Sequence, residues 1–184
     1  MGLLRSGINE VIATTEYNAA PMGIIVREGV ARMVLFSGSH TAANIEKNGW
    51  LVANFVHDPV LYVKTAFDDI PKEDFTEETI NGKKMYRLTD TDAWAAFTAT
   101  IDKQTTEALM ITVTLQKEII ERVALHPVNR GFNSIIDITV HATRYRVDHS
   151  PELKAQIEYH AAIVRKCGGK RELAALALLM QYIS

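Results

Sequence analysis

Two short segments hold the residue types and spacing best suited to binding a cofactor. Asn18-Ala19-Ala20-Pro21-Met22-Gly23 reads as a strand of mostly small residues, and Pro21 brings no backbone N–H, so it sits poorly inside a fully paired sheet. A strand left open in this way offers backbone donors and acceptors to the rim of a planar ligand. One apolar strand later, Ser37-Gly38-Ser39-His40-Thr41-Ala42-Ala43-Asn44-Ile45 runs from a strand end into a helix start. Unpaired N–H groups and the helix dipole favour an anion such as a phosphate there. A ring seat on one strand and a phosphate seat after the next suit a molecule that has both groups.

The elements around them are those that bring the two segments side by side. Asn9 to Thr15 is a strand, and a tight turn at Thr15-Glu16-Tyr17-Asn18 leads into a second strand reaching Arg27. The Glu28-Gly29 turn returns the chain as a third strand, Arg32 to Ser37, next to the second. A helix over His40 to Asn48 is capped by Ser39 or Thr41 and stopped by Gly49, and Trp50 to Val56 follows as a buried strand. Asp58-Pro59 starts another helix that runs to Ala66 or Phe67. From Asp68 to Lys84 the chain is polar and acidic, which predicts a long surface excursion with a turn at Asn81-Gly82, either a solvated loop or a lid over the ligand. Strands over Met85 to Thr89, Trp94 to Asp102 and Leu109 to Lys117 complete a sheet of about seven.

Beyond His126-Pro127 the character changes. Phe132, Ile135, Ile136, Thr139, Val140 and Thr143 follow helical spacing and favour a helix, although Ile136, Ile138, Val140 and Ala142 also alternate as a strand would. Ser150-Pro151-Glu152 begins a helix with Leu153, Ile157, His160, Ala161 and Val164 on one face, ended by Gly168-Gly169. A last helix from Arg171 is apolar on most sides, through Leu173, Leu176, Leu178 and Leu179, and must be covered by the β portion or by a second subunit. The expected division is a β domain over 1–126 and a helical subdomain over 127–184.

Composition excludes several classes. With 184 residues, 23% of them charged, and a formal net charge of −2, no global basic field exists to hold nucleic acid or an anionic membrane surface. No apolar run approaches the ~20 residues needed to cross a bilayer. Cys167 stands alone and cannot form an internal disulfide, and the start of the chain lacks the blocks of a signal peptide, so a cytoplasmic location is expected. His57, His126, His141, His149 and His160 are scattered without ligand spacing, so no metal is expected, and Cys167 has no activating base nearby in sequence. The absence of a P-loop or GxGxxG argues against a dedicated dinucleotide domain.

At its two candidate segments the sequence resembles the flavin-reductase-like FMN-binding split barrels, through Asn18-Ala19-Ala20-Pro21 and His40-Thr41-Ala42-Ala43-Asn44-Ile45. The wider pattern, with Gly7 to Thr15, Asn18 to Ile24 and His141-Ala142-Thr143-Arg144, is most similar to a mainly archaeal branch with a helical C-terminal extension. The resemblance implies an α+β protein, mainly β: a split β-barrel plus a C-terminal helical subdomain. It also implies a homodimer with FMN near the subunit interface and residues of both chains lining the pocket. By the same resemblance Asn18, Ala19, Ala20, Pro21 and Met22 line the isoalloxazine ring. Thr41 gives its hydroxyl and N–H to the phosphate, Ser39 and His40 supply further donors, and Asn44 positions the turn.

One departure stands out. The family's Lys-Asp pair before the threonine is Ser39-His40 here, so a fixed cation is missing beside a group of about −2 charge. A charged His40, Arg144 or Arg130 is the expected replacement. The resemblance further implies redox chemistry, with NAD(P)H passing a hydride to the flavin. A flavin carrier, store or sensor without turnover fits the same residues, as does a barrel that has lost its cofactor.

Overall fold

Period-two alternation governs the first strands of the computed structural model, which describes residues 2–184. In β3 (Val30–Phe36), Ala31, Met33 and Leu35 are buried while Arg32, Val34 and Phe36 face out, as a strand with one face on a core requires. β1 (Gly7–Thr15) and β2 (Asn18–Arg27) are joined through Glu16-Tyr17, and β2 and β3 through Glu28-Gly29. Glu28 and Gly29 both take positive φ, 50° and 78°, which gives the primed turn that matches strand twist. With β4 (Trp50–Phe55), β7 (Ala93–Gln104) and β8 (Ala108–Ile120) these strands close a barrel in the order β1-β2-β3-β8-β7-β4, every neighbour antiparallel. Val11, Ile24, Met33, Leu51, Phe97 and Ile111 fill its interior. The α1 helix (His40–Asn48) leaves β3 and ends at Gly49, whose φ of 66° is the left-handed conformation glycine tolerates.

The expected surface excursion is instead a second, smaller sheet. After one 3-10 turn at Lys72–Asp74, β5 (Phe75–Ile80) pairs across Asn81-Gly82 with β6 (Lys83–Leu88). Its charges obscured it: Glu77 pairs with Lys84 at 2.9 Å and Glu78 with Arg87 at 3.0 Å across the two strands, so acidic residues are consistent with a ladder. Ile80 and Met85 are buried against Trp50, Val52 and Trp94 on the outside of the barrel. This cover also explains β4, which is apolar on both faces because Leu51 and Ala53 point inward while Trp50 and Val52 lie under the hairpin. Among the described residues there are thus eight strands, six in the barrel and two in the hairpin, rather than about seven.

Contacts group residues 57–69 with 125–184 as a second unit, apart from 1–56 and 70–124. The helical part is therefore not confined to the chain beyond residue 126. The α2 helix (Pro59–Phe67), capped by Asp58, joins it because Val63 is buried in one cluster with Ile135, Ile157, Val164 and Leu176. The helix expected beyond His126-Pro127 is present as α3 (Arg130–Asp148), but its buried stripe includes Ile135, Ile138, Thr139 and Ala142, with Val140 39% exposed. α4 (Pro151–Cys167) buries Ile157, Ala161 and Val164. α5 (Lys170–Ile183) buries Ala175, Leu176 and Leu179 and leaves Leu173 43% exposed, so it is covered on one face rather than on most sides. A Cβ on Gly131 would lie 2.6 Å from Gly168 Cα, a backbone approach that only glycine permits. No helix of the described residues is long and apolar enough to cross a membrane.

One buried polar atom in this unit has a measurable consequence. Nδ1 of His141 has no hydrogen-bond partner among the described residues, and its ring lies 5.8 Å from that of His160. Burial first, then the His160 charge and Arg144, hold the His141 imidazole below its ordinary value of 6.5, with Asp137 opposing. A lowered value means that the unfolded chain takes up the proton first, so this contribution to stability is complete above about pH 6.5 and is lost as the pH falls below it. Thermal melts between pH 7.5 and pH 5 are expected to show a downward slope that His141→Gln flattens; an unchanged slope in the variant counts against this assignment.

Candidate cofactor cradle

The strand that carries Asn18 to Met22 is paired on one side only. β2 is matched to β1 along its length, from Asn18 opposite Thr15 to Val26 opposite Gly7, but to β3 only at Ile25, Val26 and Arg27. From Asn18 to Ile24 its β3 side is open, and this is the split in the barrel. Two-residue hairpins hydrogen-bond the pair that closes the turn, here Arg27 with Val30, so alternate residues back along β2 aim their polar groups at the opening. Those residues are Ala19, Pro21 and Gly23. The opening therefore presents N–H groups from Ala19 and Gly23 and carbonyls from all three, while Pro21 withholds a donor where a strand neighbour would need one. Ala20, Pro21, Met22 and Gly23 are half-buried.

The start of that edge is held against α1 by side chains at helical spacing. Asn18 Nδ2 donates to Thr41 Oγ1 at 2.9 Å, with Asn18 8% and Thr41 1% exposed. One turn on, Asn44 Nδ2 donates to Thr15 Oγ1 at 2.9 Å and to the Glu16 carbonyl at 3.3 Å. One further turn on, Lys47 Nζ and Asn48 Nδ2 each reach Glu16 Oε2 at 3.0 Å. Lys47 and then Asn48 hold the Glu16 carboxyl below the usual carboxylate range. One helix face thus clamps the β1–β2 turn, which fixes where the open edge begins.

At the start of α1 the donors are unequally placed. Ser39 is the helix cap, one of the two caps the sequence allows: its hydroxyl donates to the Phe36 carbonyl at 2.8 Å and accepts from Ala42 N at 3.1 Å. The Thr41 hydroxyl turns inward to Asn18 and joins the two segments. His40 is exposed at the first helical position. No acidic side chain stands in the first turn, so the positive end of the helix is uncompensated. Arg144 and Arg130 are exposed on α3, in the helical unit, and are not among the residues that the barrel itself assembles. Among the described residues no group of three His, Cys, Asp or Glu is placed to hold a metal ion.

This geometry can be set beside known proteins. Residues 9–122 match the family model described as "Protein of unknown function (DUF447) N-terminal domain", and residues 129–181 match "Protein of unknown function (DUF447)". The chain belongs to the DUF447 family. The crystal structure of FMN-bound protein MM1853 from Methanosarcina mazei, of the same family, is 33% identical with a TM-score of 0.91, over 97% of this chain and 96% of that one. Uncharacterized protein MJ1453 of Methanocaldococcus jannaschii is 29% identical over 196 residues, 94% of this chain and 96% of that protein. The flavin reductase HpaC complexed with NADP+ overlaps 65% of this chain and 83% of its own at a TM-score of 0.49 and 13% identity, too remote to bear on function. The DUF447 chain therefore has the split barrel with helices that its sequence implied.

Sequence reasoning missed how the two segments are joined in the DUF447 barrel, since nothing in Asn18 or Thr41 taken singly announces a shared hydrogen bond. Thr41→Val keeps the shape and removes the acceptor, leaving the Asn18 amide buried and unpaired. Urea denaturation is expected to show a loss of about 1–3 kcal/mol. The double variant with Asn18→Ala is expected to lose less than the sum of the single losses, because the second change removes the stranded amide; strict additivity would show that the bond carries no coupling.

Proposed function

We propose that this DUF447 protein binds FMN along the open edge of β2 and uses it to take a hydride from NAD(P)H and pass electrons to a flavin or small acceptor. The observation that carries the reading is the unpaired edge from Asn18 to Ile24, fixed beside the start of α1 by the Asn18–Thr41 hydrogen bond. Its donor set fits a flavin: outward N–H and C=O groups suit the polar rim of the ring, and small residues at Ala19, Ala20 and Gly23 leave its faces accessible to a second planar molecule. The Asn18 Oδ1 accepts no hydrogen bond among the described residues and is available to a ligand. In this reading Asn18 to Met22 hold the ring, while the N–H of Thr41 and the exposed His40 face the phosphate at the helix start. MM1853, a family member seen with FMN, supports the same choice of cofactor.

Bound FMN supplies the electron chemistry; the chain binds it, orients it and limits access of water. Pairing of two copies belongs to the same proposal. A cytoplasmic location accords with the single, unpaired Cys167.

The purified protein is expected to be yellow and to release, on heating, a chromophore with the mass of FMN at close to one per subunit. A colourless protein that also fails to bind added FMN overturns the proposal. Anaerobic addition of NADH or NADPH then separates turnover from storage: bleaching within seconds supports the reductase reading, and a flavin left oxidised for hours supports a carrier.

A further inference from the structure

The open edge of β2 ends at a fork, and the fork is a pocket. Where pairing between β2 and β3 stops, at Ile25 opposite Arg32, a cavity of about 230 Å³ opens with Ile25, Met33, Val34, Met110 and Ile111 in its walls. Met33 and Ile111 belong to the barrel core, whereas Val34 and Met110 are 54% and 40% exposed, so the cavity reaches from the outer face into the split. Two arginines complete it, Arg27 and Arg32. They project from the same face, because Arg32 is opposite Ile25, two residues from Arg27, which makes them diagonal neighbours roughly 7–8 Å apart.

Neither arginine has an ion pair or hydrogen bond among the described residues. Elsewhere in the chain Arg87, Arg122 and Arg171 each hold a carboxylate. On the other side of Arg32 stands Thr112, whose hydroxyl donates to Asp102 Oδ2 at 2.7 Å; Asp102 itself makes no pair with Arg32. Two like charges side by side on a sheet, with no acid between them, are mutually unfavourable. An anion that bridges them removes that cost, and planar guanidinium groups suit a carboxylate or phosphate. Beside them is an apolar hollow whose two methionines adapt to irregular shapes. At the far end of the edge, beside Asn18, the start of α1 already offers a seat for the flavin phosphate, so a ring lying along Ala19 to Gly23 has an anion seat at each end.

We infer that the fork is the seat of a second ligand, an aromatic or aliphatic acid whose body fills the hollow between β2, β3 and β8 and whose anionic group is held by Arg27 and Arg32. This rests on the flavin reading for its role as substrate, but not for its binding.

The test uses a matched pair, naphthalene-2-carboxylate and naphthalene-2-carboxamide, titrated by calorimetry into the protein as purified and after loading with FMN. The carboxylate is expected to bind roughly ten- to a hundredfold more tightly than the carboxamide, the range that charge-assisted hydrogen bonds supply. In the Arg27→Gln, Arg32→Gln double variant that preference is expected to vanish, with folding and FMN content unchanged because both side chains are exposed. Equal binding of the two probes, binding of neither at millimolar concentration, or a preference that survives the double variant overturns the inference. So does a double variant that loses FMN while still binding riboflavin, since the arginines would then hold the flavin's own phosphate. If FMN does not bind at all but the carboxylate preference persists and depends on the arginines, the flavin reading falls and the acid seat stands.

Discussion

Everything at the candidate site depends on β2 staying apart from β3 until Ile25. A strand hydrogen-bonded on one side exposes a row of backbone groups that would recruit another strand or fray. Two features keep this edge both open and in place. Pro21 removes one outward donor, which spoils the edge as a template for strand addition while leaving its carbonyl. The α1 helix then clamps the edge at its beginning: Thr41, Asn44 and Asn48 lie on one helical face and reach Asn18, Thr15 and Glu16 in turn. The conformational entropy of a loose strand end is thus removed before any ligand arrives, so binding need not supply it.

The clamp is useful only because β1 is itself immobile. A second buried amide secures it. Asn54, on β4, donates through Nδ2 to the Ile12 carbonyl at 2.8 Å and to Thr14 Oγ1 at 3.0 Å, and its Oδ1 accepts from Leu88 N at 2.8 Å. Thr14 Oγ1 also donates to the Tyr86 carbonyl at 2.6 Å. The outer hairpin is therefore bonded to the barrel through its backbone, and Tyr86 continues the connection by packing its ring 4.5 Å from that of Tyr17, in the turn that precedes Asn18. The Tyr86 hydroxyl is pushed well above its ordinary value by its hydrogen bond to Tyr17, then by burial, so it stays a neutral donor. Buried hydrogen bonds thus join the hairpin to the barrel, and ring packing extends the connection to the turn before the open edge.

The parts of this arrangement that local chemistry determines were legible in the sequence. Caps at Ser39, Asp58 and Ser150, the left-handed Gly49, and the inward alternation of Ala31, Met33 and Leu35 each follow from one short window. What escaped was set by partners distant in the chain. β5 looked like loop because its glutamates are compensated by Lys84 and Arg87 on the next strand. The buried stripe of α3 was misplaced by a fraction of a turn because Val140 and Ile138 are equally apolar, and only the packing of α4 and α5 chooses between them. Arg27 and Arg32 were passed over for a related reason: an outward arginine on a strand is ordinary until the register shows two of them on one face of a pocket.

The presence of Ser39-His40 where the split barrels that the sequence resembles have a Lys-Asp pair matters less than it first suggests. Losing the lysine removes one positive charge, but losing the aspartate beside it removes one negative charge, so the net local charge is unchanged when His40 is neutral and more positive when it is protonated. The absence of the acid has a further effect, because α1, like α2 and α3, has none in its first turn, whereas α4 and α5 carry Glu152 and Glu172 there. Those two helices spend their dipoles on their own side chains; α1 does not. With Ser39 consumed in capping and Thr41 turned toward Asn18, the dipole and the free amide of Thr41 remain as attractors at the end of the open edge. In the proposed site the countercharge is then backbone polarity rather than a fixed lysine, weaker for a dianion but rigid, since the Ser39 cap fixes the helix start and the separate Asn18–Thr41 hydrogen bond ties it to β2.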